Sequence, residues 1–489
     1  MEWMQTEVSR ISEQIKNGTL SVAEVVAHYR HQINQKEDGL QAFLTIAQEG
    51  LEARIKDVQD GIREGRYTGP LAGIPVAVKD NICTKGLRTT CASTMLENYI
   101  PAYSATVICR LEQAGAIVLG KTNMDEFAMG SSTETSAFRI TKNPWNAEYV
   151  PGGSSGGSAV AVASGQVPVA LGSDTGGSVR QPASFCGITG LLPTYGRMSR
   201  YGLVAYASSL DQIGPMGKTV ADCKALYEVM AGYDALDATT AKDPVTGEPE
   251  DAKSIKGMRI GIPKEYMHPG IEKEVRDGVM GVAALLEQEG AIVEEMSLPM
   301  TDYAVAAYYL IACAQASSNL ARFDGVKYGK QAEEKELHAM YRESRTKGFG
   351  EEVKRRILLG AFVLSEGYYD AYYLKALKAR RRIKEDFLQA FETYDCLLTP
   401  TAPTTAPKLG VGLTDPMQMY LSDATTVAVN LAGLPALSVP CGLDAKGLPI
   451  GVQFIGNAFC EDTLFRVGSA YETMRGAFPS PDNGTEGGR

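Results

Sequence analysis

Apolar residues recur at helical spacing through the first part of the chain, roughly residues 5–65. The clearest run extends from Val22 to Ile33, with apolar residues three or four positions apart. Ser21 and Glu24 form the sequence pattern of a capping box just before it. This pattern predicts that a helix begins there and that its apolar face packs against a core.

Short continuous apolar runs farther along predict buried strands instead. These runs are residues 73–79, 116–119, 167–171, 258–262, 291–293, 396–398, 436–439 and 450–454. Segments with helical spacing lie between several of them, including the stretch after Ser155 and residues 270–289. Strands that alternate with helices predict an α/β fold in which helices cover both faces of one large sheet.

The sequence predicts a single domain that spans all 489 residues, 1–489. The pattern of apolar and polar positions divides this domain into regions. Polar, Pro- and Gly-containing sequence predicts an exposed connection, and the polar, Gly-rich C-terminus predicts disorder. The expected regions are an N-terminal helical region (about 5–65), a core (about 66–233), an exposed connection (234–256), a helical elaboration (about 302–392), core strands (393–475) and a disordered tail (479–489).

Composition narrows the class of protein. Hydrophobic residues make up 44% of the chain, and the formal net charge is −10, which does not favour a protein that coats nucleic acid. No run of about 18 apolar residues predicts a membrane span, and the N-terminus lacks a signal-peptide pattern. The nine cysteines include no CxxC pair and are expected to be reduced, so we expect a cytoplasmic protein without a membrane partner.

Histidine is scarce, which limits the kinds of catalytic and metal sites that the chain can form. The four histidines, His28, His31, His268 and His338, all lie in polar or turn-like surroundings. A Ser-His-Asp triad or a zinc site therefore has few candidate residues, and we expect no metal site.

Two glycine-rich loops that contain serine flank one apolar segment. The first is Gly152–Ser158 and the second is Asp174–Ser178. Residues 152–156 fit GxSxG, but a nucleophile elbow needs a strand directly before it and a histidine late in the chain. Asp174-Thr175-Gly176 resembles an aspartic-protease motif that lacks its second copy.

Two further patterns have weak support. Gly115–Thr122 fits the phosphate-loop pattern GxxxxGK[ST], yet its most strand-like residues lie inside the supposed loop. Cys186 lies near the glycine loops, but no histidine is close to it in sequence. The favoured interpretation of Gly115–Thr122 is a buried strand, and that of Cys186 is a small apolar residue.

Lys79 is a candidate base because it ends the apolar run 73–79. Burial would lower its pKa, and a neutral lysine can accept a proton, directly or through a bridging hydroxyl. Ser154 could be that bridge and Ser178 the nucleophile, with N–H groups of Thr175–Ser178 as an oxyanion hole. From the residues alone, a surface lysine and two ordinary turns remain open as alternatives.

Taken together, Lys79 and the two glycine loops resemble the amidase signature family. The resemblance implies an α/β amidase-signature fold with a large mixed sheet and a Ser-cis-Ser-Lys triad. It makes Ser178 the nucleophile, Ser154 the intermediate serine and Lys79 the base. It also places the oxyanion hole at Thr175, Gly176, Gly177 and Ser178.

Longer segments resemble one branch of that family, the glutamine-hydrolysing subunits of tRNA-dependent amidotransferases. These segments are 120–134, 199–204, 208–215 and 367–373, and the resemblance extends over about 5–475. It implies that glutamine is hydrolysed without a cofactor in this chain, and that subunits B and C complete a heterotrimer. A partner subunit would use ATP and Mg²⁺ to amidate Glu-tRNA(Gln) to Gln-tRNA(Gln).

The same resemblance supplies candidate glutamine contacts. Asp423 is expected to bind the ammonium group, Arg356 the carboxylate, and Tyr309 to make a third contact. Arg355 and Tyr308 are alternatives at the neighbouring positions. The chain departs from the family pattern at Leu192, where lysine is usual, and at Ala424-Thr425, where bulkier residues are common.

Two other functions remain open from the sequence. One is a stand-alone amidase for other small amides, and the other is a non-catalytic scaffold in which the glycine loops are structural turns.

Overall fold

The computed structural model of the chain describes residues 6–243, 245, 254–414 and 416–481. Residues 244 and 246–253 of the predicted connection lie outside the described residues, as do residues 482–489 of the predicted tail.

Eleven strands within the described residues form one sheet. They are β1 (Phe43–Ile46), β2 (Pro75–Lys79), β3 (Ile117–Thr122), β4 (Val169–Asp174), β5 (Thr189–Leu192), β6 (Gln212–Gly217), β7 (Arg259–Pro263), β8 (Ile292–Met296), β9 (Cys396–Pro400), β10 (Ala436–Leu443) and β11 (Pro449–Gly456). Their spatial order is β1-β3-β2-β4-β6-β5-β10-β11-β9-β7-β8. Strand β2 runs parallel to β3 and β4, whereas β10 runs antiparallel to β5 and β11, so the predicted mixed sheet is confirmed.

The α-helices of the described chain are α1 (Val8–Lys16), α2 (Val22–Leu40), α3 (Leu51–Arg63), α4 (Thr106–Gln113), α5 (Gly156–Ala163), α6 (Arg180–Cys186), α7 (Val220–Met230), α8 (Lys273–Gln288), α9 (Ala304–Leu320), α10 (Leu337–Gly348), α11 (Glu351–Val363), α12 (Lys375–Ala390), α13 (Val411–Thr414), α14 (Pro416–Leu421), α15 (Val427–Ala432) and α16 (Glu461–Arg475). The capping box of Ser21 and Glu24 is present at the start of α2. None of these helices is both long and apolar enough to cross a bilayer.

Helices cover both faces of the sheet. In β9, Cys396 and Leu398 belong to one apolar cluster, whereas Leu397 between them belongs to a second. Because side chains alternate across a strand, the two clusters lie on opposite faces. Helices α2, α5, α8 and α16 contribute to the first cluster, and α9, α11, α12 and α15 contribute to the second. The predicted two-sided covering is therefore confirmed.

Several local predictions can be compared with these elements. The phosphate-loop pattern ends inside β3, so its residues form a strand as expected. The predicted N-terminal helical region, about 5–65, contains α1, α2 and α3, but Phe43–Ile46 within it is a strand that pairs with β3 at the sheet edge. Strands β5 and β6 and helix α16 had no clear sequence signal. All nine cysteines are free thiols.

Candidate active site

Lys79 is the last residue of β2 and is fully buried. Strand β2 lies between β3 and β4, so the lysine emerges inside the sheet rather than at its edge. Its Nζ lies 2.6 Å from Ser154 Oγ and donates a hydrogen bond to the carbonyl of Ser173 at 3.1 Å. The predicted base and intermediate serine are thus in direct contact, although 75 residues separate them in sequence.

Burial lowers the pKa of Lys79 from 10.5 to about 7, because desolvation disfavours the ammonium form. The carboxylates of Asp125, Asp174 and Asp211 oppose this effect but do not overcome it. A pKa near neutrality suits a general base that must take up and return a proton in each cycle.

The loop that carries Ser154 is held tightly on both sides. The Gly153–Ser154 peptide bond is cis. The Gly153 N–H donates to Gln181 Oε1 at 2.9 Å, and a Cβ at Gly153 would collide with the Asp125 carboxylate. Asp125 also accepts hydrogen bonds from the N–H groups of Ser132 and Thr133. A Cβ at position 153 would also lie 2.7 Å from the Ser132 nitrogen, so only glycine allows this loop to pack against its neighbours.

Ser178 is the member of the predicted triad that reaches solvent. Its residue is partly exposed, whereas Lys79 and Ser154 are fully buried. The N–H of Ser155 donates to the Ser178 carbonyl at 3.1 Å, which joins the two glycine loops. No hydrogen bond joins Ser178 Oγ to Ser154 or to another described residue, so the structure shows the Lys79–Ser154 contact of the triad but no Ser154–Ser178 contact. The Ser178 hydroxyl is available to a substrate.

The predicted oxyanion hole needs one correction. The Gly177 N–H donates to Asp174 Oδ1 at 2.7 Å and is therefore not open to a ligand. The N–H groups of Thr175, Gly176 and Ser178 have no acceptor among the described residues. We therefore remove Gly177 from the predicted donors and keep the other three.

Asp174 and Arg180 form a fully buried ion pair beneath this loop, with Nε 3.1 Å from Oδ2. Burial opposes ionisation of Asp174, but Arg180 and further hydrogen bonds outweigh it and lower its pKa. Arg180 also donates to Gln453 Oε1 at 2.9 Å and to Asn430 Oδ1 at 2.5 Å. The Asp174 carboxylate therefore stays ionised and paired with Arg180. This excludes the proton-sharing role suggested by the Asp-Thr-Gly sequence.

The three predicted glutamine contacts lie together. Tyr309 donates its hydroxyl to Asp423 Oδ2 at 2.8 Å, and the Arg356 guanidinium lies 5.3 Å from the centre of the Tyr309 ring. Arg356 Nε contacts Glu352 Oε1 at 2.7 Å. The Arg356 side chain is 3% exposed, whereas that of Arg355 is 44% exposed, so Arg356 is the arginine that faces this cluster.

Asp423 is buried, and burial raises its pKa to about 7. Hydrogen bonds from Tyr309 and Ser131 favour the carboxylate but only partly offset the desolvation. A bound ammonium group would add a positive charge beside it and restore the ionised form.

Direct contacts connect the glutamine cluster with the nucleophile loop. Thr426 Oγ1 donates to the Gly176 carbonyl at 2.6 Å and to the Asp423 carbonyl at 3.1 Å. A Cβ at Gly176 would lie 2.5 Å from Tyr308 Cζ. Tyr308 therefore packs against the loop, whereas Tyr309 contacts Asp423.

Gln181 and Ser131 are two functional candidates that sequence reasoning missed. Gln181 accepts from Gly153 N–H and donates to the Ser131 carbonyl at 3.0 Å. Ser131 Oγ in turn donates to Asp423 Oδ1 at 2.9 Å. One hydrogen-bonded chain thus runs from the Ser154 loop to the glutamine cluster. Both residues lie within or beside the segments that resemble the family, but nothing in their sequence identifies these partners.

A cavity of about 650 Å³ adjoins this chain of contacts. Ser131, Gln181, Ser422 and Ala424 contribute to its wall, together with apolar side chains such as Phe185. The departure at Ala424 therefore borders the cavity, while Thr425 donates to the Thr401 carbonyl at 2.7 Å. Leu192 is fully buried in β5, where it pairs with Ala436 of β10.

Cys186 does not provide an alternative nucleophile. Its thiol is fully buried, and burial raises its pKa above the ordinary thiol range. A reactive cysteine needs the opposite shift.

Comparisons with known proteins agree with this geometry. The chain is 55% identical to the A subunit of the glutamyl-tRNA(Gln) amidotransferase from Agathobacter rectalis, over 97% of this chain and 95% of that protein. The solved structure of the corresponding A subunit from Thermotoga maritima is 44% identical, with a TM-score of 0.81 and 98% of both chains covered. A peptide amidase from Stenotrophomonas maltophilia is 28% identical, with a TM-score of 0.82 over 98% of this chain and 99% of that one. Because the Amidase family model matches residues 24–465, the chain belongs to the amidase family.

Proposed function

We propose that this chain is the glutamine-hydrolysing subunit of an amidotransferase that converts Glu-tRNA(Gln) to Gln-tRNA(Gln). The contact between Lys79 Nζ and Ser154 Oγ, beside the glycine loop of Ser178, carries the amidase part of the proposal. The cluster of Tyr309, Arg356 and Asp423 supports glutamine as the substrate, because it offers a cation and a carboxylate for the two ends of an amino acid.

In the proposed reaction, Ser178 Oγ attacks the side-chain amide carbon of glutamine. Once the Ser178 hydroxyl has turned toward Ser154 Oγ, its proton passes to Ser154, whose own proton passes to neutral Lys79. The N–H groups of Thr175, Gly176 and Ser178 stabilise the oxyanion. Lys79 then returns a proton through Ser154 to the departing nitrogen, and the C–N bond breaks to give ammonia. Water hydrolyses the remaining glutamyl ester to glutamate, with the same relay acting in reverse.

The second half of the reaction is assigned to partners. We propose a heterotrimer with subunits B and C, in which a partner uses ATP and Mg²⁺ to activate the glutamyl group of Glu-tRNA(Gln). This chain supplies every group that the hydrolytic half requires, so we propose no cofactor for it. We also propose that the complex works in the cytoplasm.

Ammonia release from glutamine tests the proposal, measured with and without the partner subunits. Wild type should release ammonia, and in the complete complex with ATP it should form Gln-tRNA(Gln). Ser178→Ala should lose both activities, yet the complex should still form Gln-tRNA(Gln) when ammonium salts replace glutamine. Full glutaminase activity of Ser178→Ala would refute the mechanism.

Asp423→Ala distinguishes this function from that of a stand-alone amidase. Loss of activity on glutamine with retained activity on simple amides supports a role for Asp423 in glutamine recognition. If wild type hydrolyses simple amides well and glutamine poorly, with or without partners, the stand-alone function is correct.

A further inference from the structure

An exposed apolar patch lies on the outer face of α11 and the segment that follows it. We call it the α11 patch, and it consists of Leu358, Leu359, Phe362, Tyr368, Tyr369 and Tyr372. Leu358 is 70% exposed and Phe362 is 47% exposed. The rings of Phe362 and Tyr368 are 4.3 Å apart, centre to centre, so the two parts of the patch are continuous. Contiguous exposed apolar surface marks a site of interaction.

A positively charged helix borders the patch. Residues 375–384, in the first turns of α12, include six Lys or Arg and no Asp or Glu, in a chain whose formal net charge is −10. Lys375, Lys378 and Lys384 are exposed, and none of them forms an ion pair with a described residue. Lys375 is three positions after Tyr372, one turn along the continuing helix. The border of the patch therefore carries cations that are available to a partner.

We propose that the α11 patch and this basic border dock an apolar, acidic segment of a partner subunit. This inference rests on the proposed function, which requires a partner to receive the ammonia. Exposed aromatic side chains are typical anchors at protein interfaces. Carboxylates on the partner would complement the lysines of α12 and orient the encounter.

The chemistry of the patch favours such a segment over two other occupants. A symmetric contact between two copies of this chain would bring two basic α12 helices together, which is electrostatically unfavourable. RNA would match the basic border and could stack on the exposed rings, but it would leave the aliphatic side chains of Leu358 and Leu359, of which Leu358 is 70% exposed, without an apolar partner. Aliphatic and aromatic side chains together fit an apolar protein surface.

The α11 patch and the glutamine cluster share one helix, α11. Helix α11 presents Leu358 and Phe362 to solvent, while its buried face holds Glu352 and Arg356. A partner seated on the patch would therefore contact the helix that carries the predicted carboxylate-binding arginine.

Binding of the purified chain to its purified partner subunits tests the inference. Leu358→Ser combined with Phe362→Ser should raise the dissociation constant by about tenfold or more, because truncated anchors dominate interface energies. Leu236→Ser is the matched control, since Leu236 is 64% exposed and lies far along the chain from α11. Lys375→Glu combined with Lys378→Glu should also weaken binding and reduce its dependence on salt.

The isolated variants should retain basal ammonia release and labelling of Ser178 by an acylating probe, which shows that they are folded. Unchanged partner affinity in such folded variants would overturn the inference while leaving the proposed function intact. A selective loss of tRNA affinity would instead identify an RNA surface, and a change only in self-association would identify a contact between copies; both results would also overturn it. If wild type binds no partner subunit, the proposed function itself fails.

Discussion

At the scale of single residues, the proposed chemistry depends on the charge of Lys79. A protonated lysine cannot accept the proton of Ser154, whereas the neutral amine can. Desolvation in the middle of the sheet lowers the pKa of this residue to about 7, so both forms are accessible near neutral pH. The amine also has a fixed partner, the Ser173 carbonyl, which directs it toward Ser154.

The pH dependence of kcat follows from the pKa of Lys79. The active form of Lys79 is neutral and gains population as pH rises through about 7, so kcat for glutamine should increase across this range and be lost below it. Steady-state ammonia release between acidic and mildly alkaline pH measures the profile. A kcat that is highest in acid would contradict Lys79 as the base.

Asp423→Asn should act on binding more than on chemistry. Asparagine keeps the size of the side chain but cannot pair with an ammonium group, so KM for glutamine should rise by about 10- to 100-fold, with a smaller change in kcat. The pKa of Asp423, raised to about 7, should add a second ionisation to kcat/KM in wild type, and the variant should lose it. Equal losses in kcat and kcat/KM would instead place Asp423 in the chemical step.

The sequence reveals some of these residues and not others. Lys79, Ser154 and Ser178 are found through their resemblance to the amidase signature, since the residues alone leave a surface lysine and two ordinary turns open. Gln181 and Ser131 acquire their partners only when the loops fold against one another. Gln181 is 28 residues from Gly153, and Ser131 is 292 residues from Asp423. The hydrogen bond from the Gly177 N–H to Asp174 likewise depends on the conformation of one turn.

At the scale of elements, the site is built from the ends of strands and the loops that follow them. Strands β2 and β4 show clear apolar runs, so the sequence predicts them. Strand β1 is four residues long and lies next to the helical pattern of α2. Strand β5 contains glycine, and β6 contains both glycine and proline. Such strands are stabilised by their neighbours in the sheet, which a local pattern does not show.

Gly176→Ala tests how closely these elements pack. The added methyl group would meet the end of the Tyr308 ring at 2.5 Å, so the loop or the tyrosine must shift. We expect a loss of about 1–3 kcal/mol in the free energy of unfolding and a marked fall in kcat. Chemical denaturation and ammonia release measure the two effects. Gly442→Ala is the control, because a Cβ there meets no atom of the described residues within 4 Å apart from its chain neighbours. Wild-type behaviour of Gly176→Ala would contradict the packing.

At the scale of the whole molecule, the sheet brings together residues that are far apart in sequence. Arg180, which follows the nucleophile loop, contacts Asn430 in α15 and Gln453 in β11. The buried pair of Asp174 and Arg180 thus joins the catalytic loop to the C-terminal strands. Alternating helices and strands predict the fold class, but the order of strands and these long-range contacts are outside the reach of local patterns.

Arg180→Met tests that connection. The substitution leaves Asp174 buried without its cation, which should cost about 3–5 kcal/mol in the free energy of unfolding. The paired change Asp174→Asn with Arg180→Met should recover part of this loss, because no unpaired charge remains. Denaturation with two spectroscopic probes measures both variants, and a stable Arg180→Met would contradict the role given to the pair.

The central claim is that Ser178 carries the acyl group. Mass spectrometry of rapidly acid-quenched reactions of the enzyme with glutamine tests it most directly. The account predicts one glutamyl group, in ester linkage, on Ser178 itself, located by fragmentation of the peptide that also holds Ser154, and none in Ser178→Ala. A glutamyl group on Ser154 or Cys186, or glutamine hydrolysis by Ser178→Ala at the wild-type rate, would contradict it.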